Sequence, residues 1–132
     1  MAYVKSYRDL EVYKLARKLA KEIFEISKTF PKEEKFSMTD QVRRSSRSVG
    51  GQIAESWAKR KYPKHFVSKL TDADGEQLET QHWVETAQDC EYISNDKATY
   101  LLNEYASVGR MLNAMMEKSD MFCKNSTIKN SS

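Results

Sequence analysis

The chain has 132 residues, 39% of them hydrophobic and 31% charged, with a net charge of +3 at pH 7, a composition typical of one globular domain that can bury a core. No segment approaches the roughly 20 consecutive apolar residues of a membrane-spanning helix, and the first residues lack the apolar run of a signal peptide. Two cysteines are too few for a disulfide framework or a zinc site, so we expect a cytoplasmic protein with reduced thiols.

Charge is distributed unevenly along the chain. Residues 40–64 contain seven cationic side chains and two acidic ones. Residues 70–96 contain eight acidic side chains and no Lys or Arg. A chain of this kind can pair its own helices, bind a second subunit or present a basic surface to an anion.

The first predicted helix covers about residues 8–29. Apolar residues recur through it at alternating spacings of four and three, a seam typical of helices packed in bundles. Pro31 then ends the helix, because proline cannot continue the backbone hydrogen bonding. The seam residues are Val12, Ala16, Leu19, Ile23, Ile26 and Phe30.

A second predicted helix begins after Ser37 and ends near Lys59. Ser37 and Asp40 have the spacing of a capping box, in which two side chains accept from backbone N–H groups that have no partner inside the helix. The seam continues through this helix, as Met38, Val42, Val49, Ile53 and Trp57.

Pro63 suits the first turn of a third helix. Gln77 and Thr80 interrupt its apolar side, so we expect this helix to have a polar middle. The apolar positions on either side of that interruption are Phe66, Leu70, Ala73, Val84 and Ala87.

Ser94, Asn95 and Asp96 offer N-caps to a fourth helix that ends near Lys118. Its apolar stripe consists of Ala98, Leu101, Tyr105, Val108, Leu112 and Met115. Residues 123–132 are polar, and we expect them to form a disordered tail.

The four periodic runs predict the fold class. Only two prolines and four glycines separate them, and no alternating pattern predicts a strand. The chain is therefore expected to be all-α. Short connections favour antiparallel neighbours, so residues 1–122 are predicted to form an up-down-up-down four-helix bundle.

One side of the second helix has an unusual composition. Arg43, Arg44 and Arg47 fall within a sector of about 100°, turned away from the apolar seam. Glycine inside a helix costs about 1 kcal/mol relative to alanine, so we expect a neighbouring helix or subunit to approach the small residues that follow. These lie on the arginine side at a spacing of four: Gly50, Ala54 and Ala58.

The cationic residues have two interpretations. They can form a phosphate-binding surface, with Tyr62 and Trp57 as stacking groups. Alternatively, the arginines pair with acidic residues inside the bundle or between subunits, since basic clusters on bundles are more often solvated or structural than ligand sites. The candidate cations are Arg43, Arg44, Arg47, Lys59, Arg60, Lys61 and Lys64, and the candidate structural acids are Glu55, Glu76 and Glu79.

Three parts of the chain carry a family resemblance. They are Tyr7 to Val12, then the stretch from Phe36 onward with Gln41 to Ser45, Ser48-Val49 and Ile53 to Glu55, and finally Gln77 to Gln81. They resemble the opening, the second-helix signature and the third-helix signature of the four-helix-bundle proteins encoded in intervening sequences of bacterial large-subunit ribosomal RNA genes. The resemblance extends over about residues 7–116. It departs at Gln52, Ser56 and Asp74-Gly75, where the family usually has asparagine, glycine and a glycine-serine pair.

The resemblance implies a small non-enzymatic bundle that assembles into a homo-oligomer, typically a ring of five. Relatives include the accessory protein of diversity-generating retroelements, a basic partner of reverse transcriptase and nucleic acid. The resemblance therefore implies RNA or a reverse-transcriptase-like protein as a partner.

Catalytic and metal-dependent functions have weaker support. Glu79 and His82 form the Glu-x-x-His unit that di-iron bundles use twice, but it occurs once here, since the other histidine, His65, has Tyr62 three residues before it. Cys90 has no basic neighbour within a helical turn to activate it. We therefore expect no catalysis, no metal and no cofactor.

Two functional hypotheses follow from these patterns. The first is a non-catalytic homo-oligomeric scaffold that binds RNA or a nucleic-acid-processing partner through the basic surface of the second helix. The second is a protein-interaction scaffold that binds no nucleic acid. Its basic face would dock on the acidic third helix of a neighbouring subunit or of another protein.

Overall fold

Helices make up the regular structure of residues 4–123, the part of the chain that the computed structural model describes. The four long helices are α1 (Glu11–Ser27), α2 (Met38–Ala58), α3 (Pro63–Asp89) and α4 (Asn95–Glu117), and one turn, α5 (Ser119–Phe122), follows them. Two short 3-10 turns, Tyr7–Asp9 and Lys32–Glu34, precede α1 and α2. Since no strand occurs in these 120 residues, the predicted all-α class is confirmed.

The helices form an antiparallel bundle. Each one packs against its neighbour in the chain, and α4 returns to α1. The connections are short, at residues 28–37, 59–62 and 90–94, so consecutive helices run in opposite directions. The predicted four-helix bundle is confirmed. None of the helices within residues 4–123 has the length and apolar character needed to cross a bilayer.

The predicted seams form the core, because a helix stripe with the 3.6-residue period turns all its apolar side chains towards the same neighbours. The predicted apolar residues of α3 and α4 are all buried. Tyr105 and Phe66 are the largest fully buried side chains of the core. Three seam positions at helix ends, Ile26, Phe30 and Trp57, are only partly buried. Phe30 lies beyond the end of α1 and contacts the ring of Tyr92, with the centroids 5.5 Å apart.

The polar middle of α3 lies inside the bundle. Thr80 Oγ1 is 2.9 Å from the hydroxyl of Ser45 on α2, and both residues are fully buried. The Gln77 amide donates to Asp74 Oδ1 over 3.0 Å. A Cβ added at Gly109 of α4 would lie 2.8 Å from Gln77 Nε2, so a glycine there lets the two helices pack around a buried glutamine.

Two predicted helix starts differ from the structure. Residues 7–9 form a 3-10 turn that Ser6 and Asp9 cap reciprocally, and extended backbone at Leu10 separates that turn from α1. The capping box predicted at Ser37 is wrong, because the Ser37 side chain makes no capping hydrogen bond. At the start of α2 the side chain of Glu34 accepts a backbone hydrogen bond instead, with Oε1 3.4 Å from the Met38 amide nitrogen.

Cys123, the first residue of the predicted tail, packs against the bundle. Cys123 is fully buried, and its N–H donates to the carbonyl of Ser119 over 2.9 Å. The turn of α5 brings Phe122 against Phe66 and Trp57, with centroid distances of 6.0 and 6.3 Å. The rest of the predicted tail, residues 124–132, lies outside the described residues.

Candidate nucleic-acid interface

An open concavity of about 540 Å³ lies at the start of α2, and we call it the basin. Phe36 is its only large apolar side chain and is 87% exposed. Lys35 Nζ lies 5.3 Å from the centroid of that ring. The basin therefore combines an open aromatic ring with a concentration of positive charge. Its lining residues are Lys35, Phe36, Thr39, Asp40, Arg43, Arg44 and Arg47.

Two of the basin arginines lie against Phe24 of α1. The Cζ atoms of Arg43 and Arg47 are 4.8 and 5.5 Å from its ring centroid. Guanidinium groups stack well on aromatic faces because they are planar and weakly hydrated. Arg43 Nε also donates to Ser27 Oγ over 2.8 Å, and the Ser27 hydroxyl donates to the Phe24 carbonyl over 3.0 Å. Phe24 thus positions both guanidinium groups, and Ser27 also holds that of Arg43.

Neither Arg43 nor Arg47 forms an ion pair with a carboxylate of residues 4–123. Arg43 is half-buried and Arg47 is exposed. The Nη groups of Arg43 do not take part in its bond to Ser27. These two arginines therefore retain charge and hydrogen-bond donors that an anion can use.

Arg44 has a different environment. Its Nη2 donates to Glu79 Oε2 over 2.6 Å, and Nη1 lies 3.7 Å from Glu76 Oε2. The hydrogen bond from Trp83 is the largest effect lowering the pKa of Glu79, and Arg44 acts in the same direction, while burial opposes them. The hydrogen bond to Glu79 raises the pKa of Arg44. Arg44 is thus tied to α3, and two carboxylates offset its charge.

The remaining predicted cations lie at the other end of α2. Lys59 lies twelve positions after Arg47, a distance of about 18 Å along a helix axis. Arg60 turns back onto Trp57, with Cζ 3.9 Å from the ring and Nε donating to the Trp57 carbonyl over 2.9 Å. The structure therefore separates the seven candidate cations into two groups, with Arg43, Arg44 and Arg47 in the basin and Lys59, Arg60, Lys61 and Lys64 beyond α2.

The small residues of α2 differ in their surroundings, and the predicted acid Glu55 has a partner on α3. A Cβ added at Gly50 would lie 3.5 Å from Tyr13 of α1. Ala54 is half-buried and Ala58 is exposed. Glu55 pairs with Lys69 of α3 over 3.0 Å.

Lys35, Phe36 and Phe24 were not among the candidate site residues predicted from the sequence. All three lie off the apolar seams of the helices, which indicates exposure but not function. A lysine next to an aromatic residue in the connector before α2 was the available signal. That Phe24 would lie beneath two arginines depends on how α1 and α2 are packed, which the sequence pattern does not specify.

Within residues 4–123, no group of three or more His, Cys, Asp or Glu side chains is arranged to hold a metal ion. Glu79 of the Glu-x-x-His unit already accepts from Arg44 and Trp83. His82 is exposed and makes an edge contact with Trp83, with the ring centroids 4.7 Å apart. Cys90 is also exposed.

Similarity to known proteins extends over most of the bundle. The family model for the 23S rRNA-intervening sequence protein matches residues 8–114, which include every residue of the basin. A similar crystal structure is that of a protein with unknown function from the S23 ribosomal protein family of Bacteroides thetaiotaomicron. It is 26% identical, with 80% of this chain and 95% of that chain covered and a TM-score of 0.71. No curated protein matches the chain. Neither description names a catalytic activity.

Proposed function

The chain belongs to the 23S rRNA-intervening sequence protein family, and we propose that it is a non-catalytic, homo-oligomeric bundle of the cytoplasm that binds RNA or a nucleic-acid-processing partner. The binding surface is the basin at the start of α2. The observation that carries this proposal is the position of Arg43 and Arg47 on Phe24, without a carboxylate partner in the described chain.

The basin suits phosphate for two physical reasons. Guanidinium groups bind phosphate oxygens through charge-assisted and often bidentate hydrogen bonds. Arg43 is already held by Phe24 and Ser27, so its side chain loses less conformational entropy when a ligand binds. Lys35 adds a third cation, while Asp40 is the only acid in the lining.

Reversing two charges tests the proposal. We expect the variant Arg43→Glu/Arg47→Glu to lose most of its affinity for RNA, because carboxylates replace both unpaired guanidinium groups. The measurement is fluorescence anisotropy of a labelled RNA strand, with native mass spectrometry to follow assembly. The matched control, Lys21→Glu/Arg110→Glu, makes the same change in net charge on α1 and α4, away from the basin.

An equal loss of RNA affinity in both variants would mean that net charge, not the basin, governs binding. Absence of RNA binding by the wild-type protein at low salt would remove the RNA proposal altogether. Thermal unfolding of each variant verifies that the bundle remains folded.

The alternative is a protein-interaction scaffold without nucleic-acid binding. Its supporting observation is the pairing of Arg44 with Glu76 and Glu79, because α2 and α3 of one chain already attract each other through opposite charges. The same contact between two chains would assemble an oligomer. Loss of assembly in Arg43→Glu/Arg47→Glu favours this alternative, whereas an intact oligomer that has lost RNA affinity favours the first function.

Family resemblance suggests five subunits for the oligomer. The measurement is the native mass of the purified full-length protein, together with its ratio of absorbance at nucleic-acid and protein wavelengths. A mass of one subunit at working concentration contradicts the oligomeric part of the proposal and leaves the basin unaffected.

A further inference from the structure

Phe36 is displayed on the surface by an anchored segment of chain. It lies in the connector between α1 and α2 and is 87% exposed. Burying a phenylalanine side chain stabilises a protein by about 1.5–3 kcal/mol, and the monomer gains almost none of this. Phe36 therefore has no packing role within the described chain that accounts for an aromatic residue at this position.

The connector that carries Phe36 is held at both ends. Tyr92 donates its hydroxyl proton to Glu34 Oε2 over 2.8 Å, and the other Glu34 oxygen lies 3.4 Å from the amide nitrogen of Met38. Met38 is the first residue of α2 and is buried. Phe36 thus lies between two fixed points, which reduces the entropy lost when a ligand contacts its ring.

The surroundings of the ring distinguish between classes of partner. Apart from Phe36, every side chain that lines the basin is charged or polar, and three of them are arginines. Phenylalanine and arginine also occur at protein interfaces, but the buried core of an interface is depleted in charged residues as a class, whereas four of the seven lining residues here are cations and one is an acid. A nucleotide needs an aromatic face for its base and cations for its phosphate, and the basin has both.

On this basis, and resting on the function proposed above, we infer that the basin binds one unpaired nucleotide of single-stranded RNA, with its base stacked on Phe36 and its phosphate held by Arg43 and Arg47. In a duplex the bases are stacked on each other, so Phe36 has no base to contact. Single-stranded RNA is therefore the preferred ligand, and duplex RNA binds through phosphate contacts alone.

The test compares two labelled probes on the full-length protein, an oligouridine strand and a blunt-ended RNA duplex of the same length. We expect Phe36→Ala to weaken binding of the strand by about 5- to 150-fold, the range that loss of one base–aromatic stack produces. Binding of the duplex should stay within about twofold. Phe36→Trp should restore binding of the strand, because a larger ring also stacks, whereas Phe36→Leu should not.

The matched control is Leu78→Ala on α3, since Leu78 is also an exposed large apolar residue, at 55%. Equal strand affinities in Phe36→Ala and Leu78→Ala, with binding still lost in Arg43→Glu/Arg47→Glu, would overturn the stacking inference and leave the proposed function standing. If Phe36→Ala lost the oligomer but kept its affinity for the strand, Phe36 would belong to a protein contact, and the stacking inference would again be overturned. If neither probe binds the wild-type protein, both proposals fail together.

Discussion

Arg43 and Arg44 are adjacent in the chain but have different electrostatic surroundings. Consecutive helical residues point about 100° apart, so Arg43 lies against Phe24 and Ser27 of α1, while Arg44 reaches Glu79 of α3. Two neighbouring arginines therefore have different roles. Arg44 pairs with α3 across the α2–α3 contact, whereas Arg43 has no carboxylate partner among residues 4–123 and is one of the two arginines that we propose bind phosphate.

Replacing either of two glycines inside helices by alanine should change the stability of the protein, in opposite directions. A Cβ added at Gly51 would meet nothing within 4 Å, whereas one at Gly109 would lie 2.8 Å from Gln77 Nε2. Gly51→Ala should raise the free energy of unfolding by about 0.5–1 kcal/mol, because alanine restricts the unfolded chain. Gly109→Ala should lower it by about 1 kcal/mol, because displacing the buried Gln77 amide costs more than that gain.

Urea unfolding of the two alanine variants measures both changes. Stabilisation by Gly109→Ala would show that Gln77 moves aside without losing its hydrogen bond to Asp74. A destabilised Gly51→Ala would indicate that something outside the described monomer contacts α2 at that residue.

At the scale of the helices, the α2–α3 contact combines a buried polar pair with a surface ion pair. Ser45 and Thr80 meet inside the bundle, and Arg44 and Glu79 meet at its edge. Glu79 also accepts from the Trp83 indole over 3.1 Å. The carboxylate form of Glu79 is thus favoured by two hydrogen bonds, from Arg44 and from Trp83, that form only in the folded protein.

This contact predicts a pH dependence of stability. The folded-state pKa of Glu79 lies below its ordinary value of 4.5, so its contribution is complete above that value and is lost as the pH falls through the lowered pKa. Glu79→Gln should therefore have a lower melting temperature than the wild type at neutral pH, with the difference disappearing in acid. The difference in melting temperature should be modest, since the Glu79 side chain is 35% exposed and solvent screens its ion pair.

Melting temperatures from neutral to acidic pH provide the measurement. Glu11→Gln is the control, because its ion pair with Lys14 is largely exposed and contributes little. A gap between wild type and Glu79→Gln that stays constant down to strongly acidic pH would contradict the assignment.

On the scale of the whole molecule, internal pairing offsets only part of the uneven charge. Arg44 and Lys69 form ion pairs with acidic side chains across the α2–α3 contact. Lys35, Arg43 and Arg47 keep their charge at the basin, although the net charge of the chain is only +3. Binding of an anion should therefore depend on these local cations more than on long-range attraction by the molecule.

The salt dependence of RNA binding follows from that count of cations. With one phosphate held by Arg43 and Arg47 and a neighbouring phosphate contacted by Lys35, the slope of log affinity against log salt should be about −1.4 per subunit, since each phosphate contact on a single strand contributes about −0.7. Arg43→Glu/Arg47→Glu should reduce the slope to no more than about half of that value. Anisotropy titrations at a series of salt concentrations test this, and an affinity that does not change with salt would contradict phosphate binding.

The sequence by itself determined the all-α class, the four helices and most of the core, because a helix with the 3.6-residue period has to bury one continuous stripe. It also indicated Arg43 and Arg47, since they lie off that stripe. Local hydrogen bonding was less predictable. The start of α1 and the cap of α2 depend on Asp9 and Glu34, which compete with the residues that the pattern favoured.

Only the tertiary structure decided which cations are paired and what lies beside them. Arg44 meets Glu79 across 35 residues of chain, and Arg43 meets Ser27 across 16. Such contacts depend on the relative rotation and height of packed helices, which many sequences with the same apolar stripe leave open. For that physical reason the position of the two basin arginines against Phe24 becomes visible only once α1 and α2 are packed together.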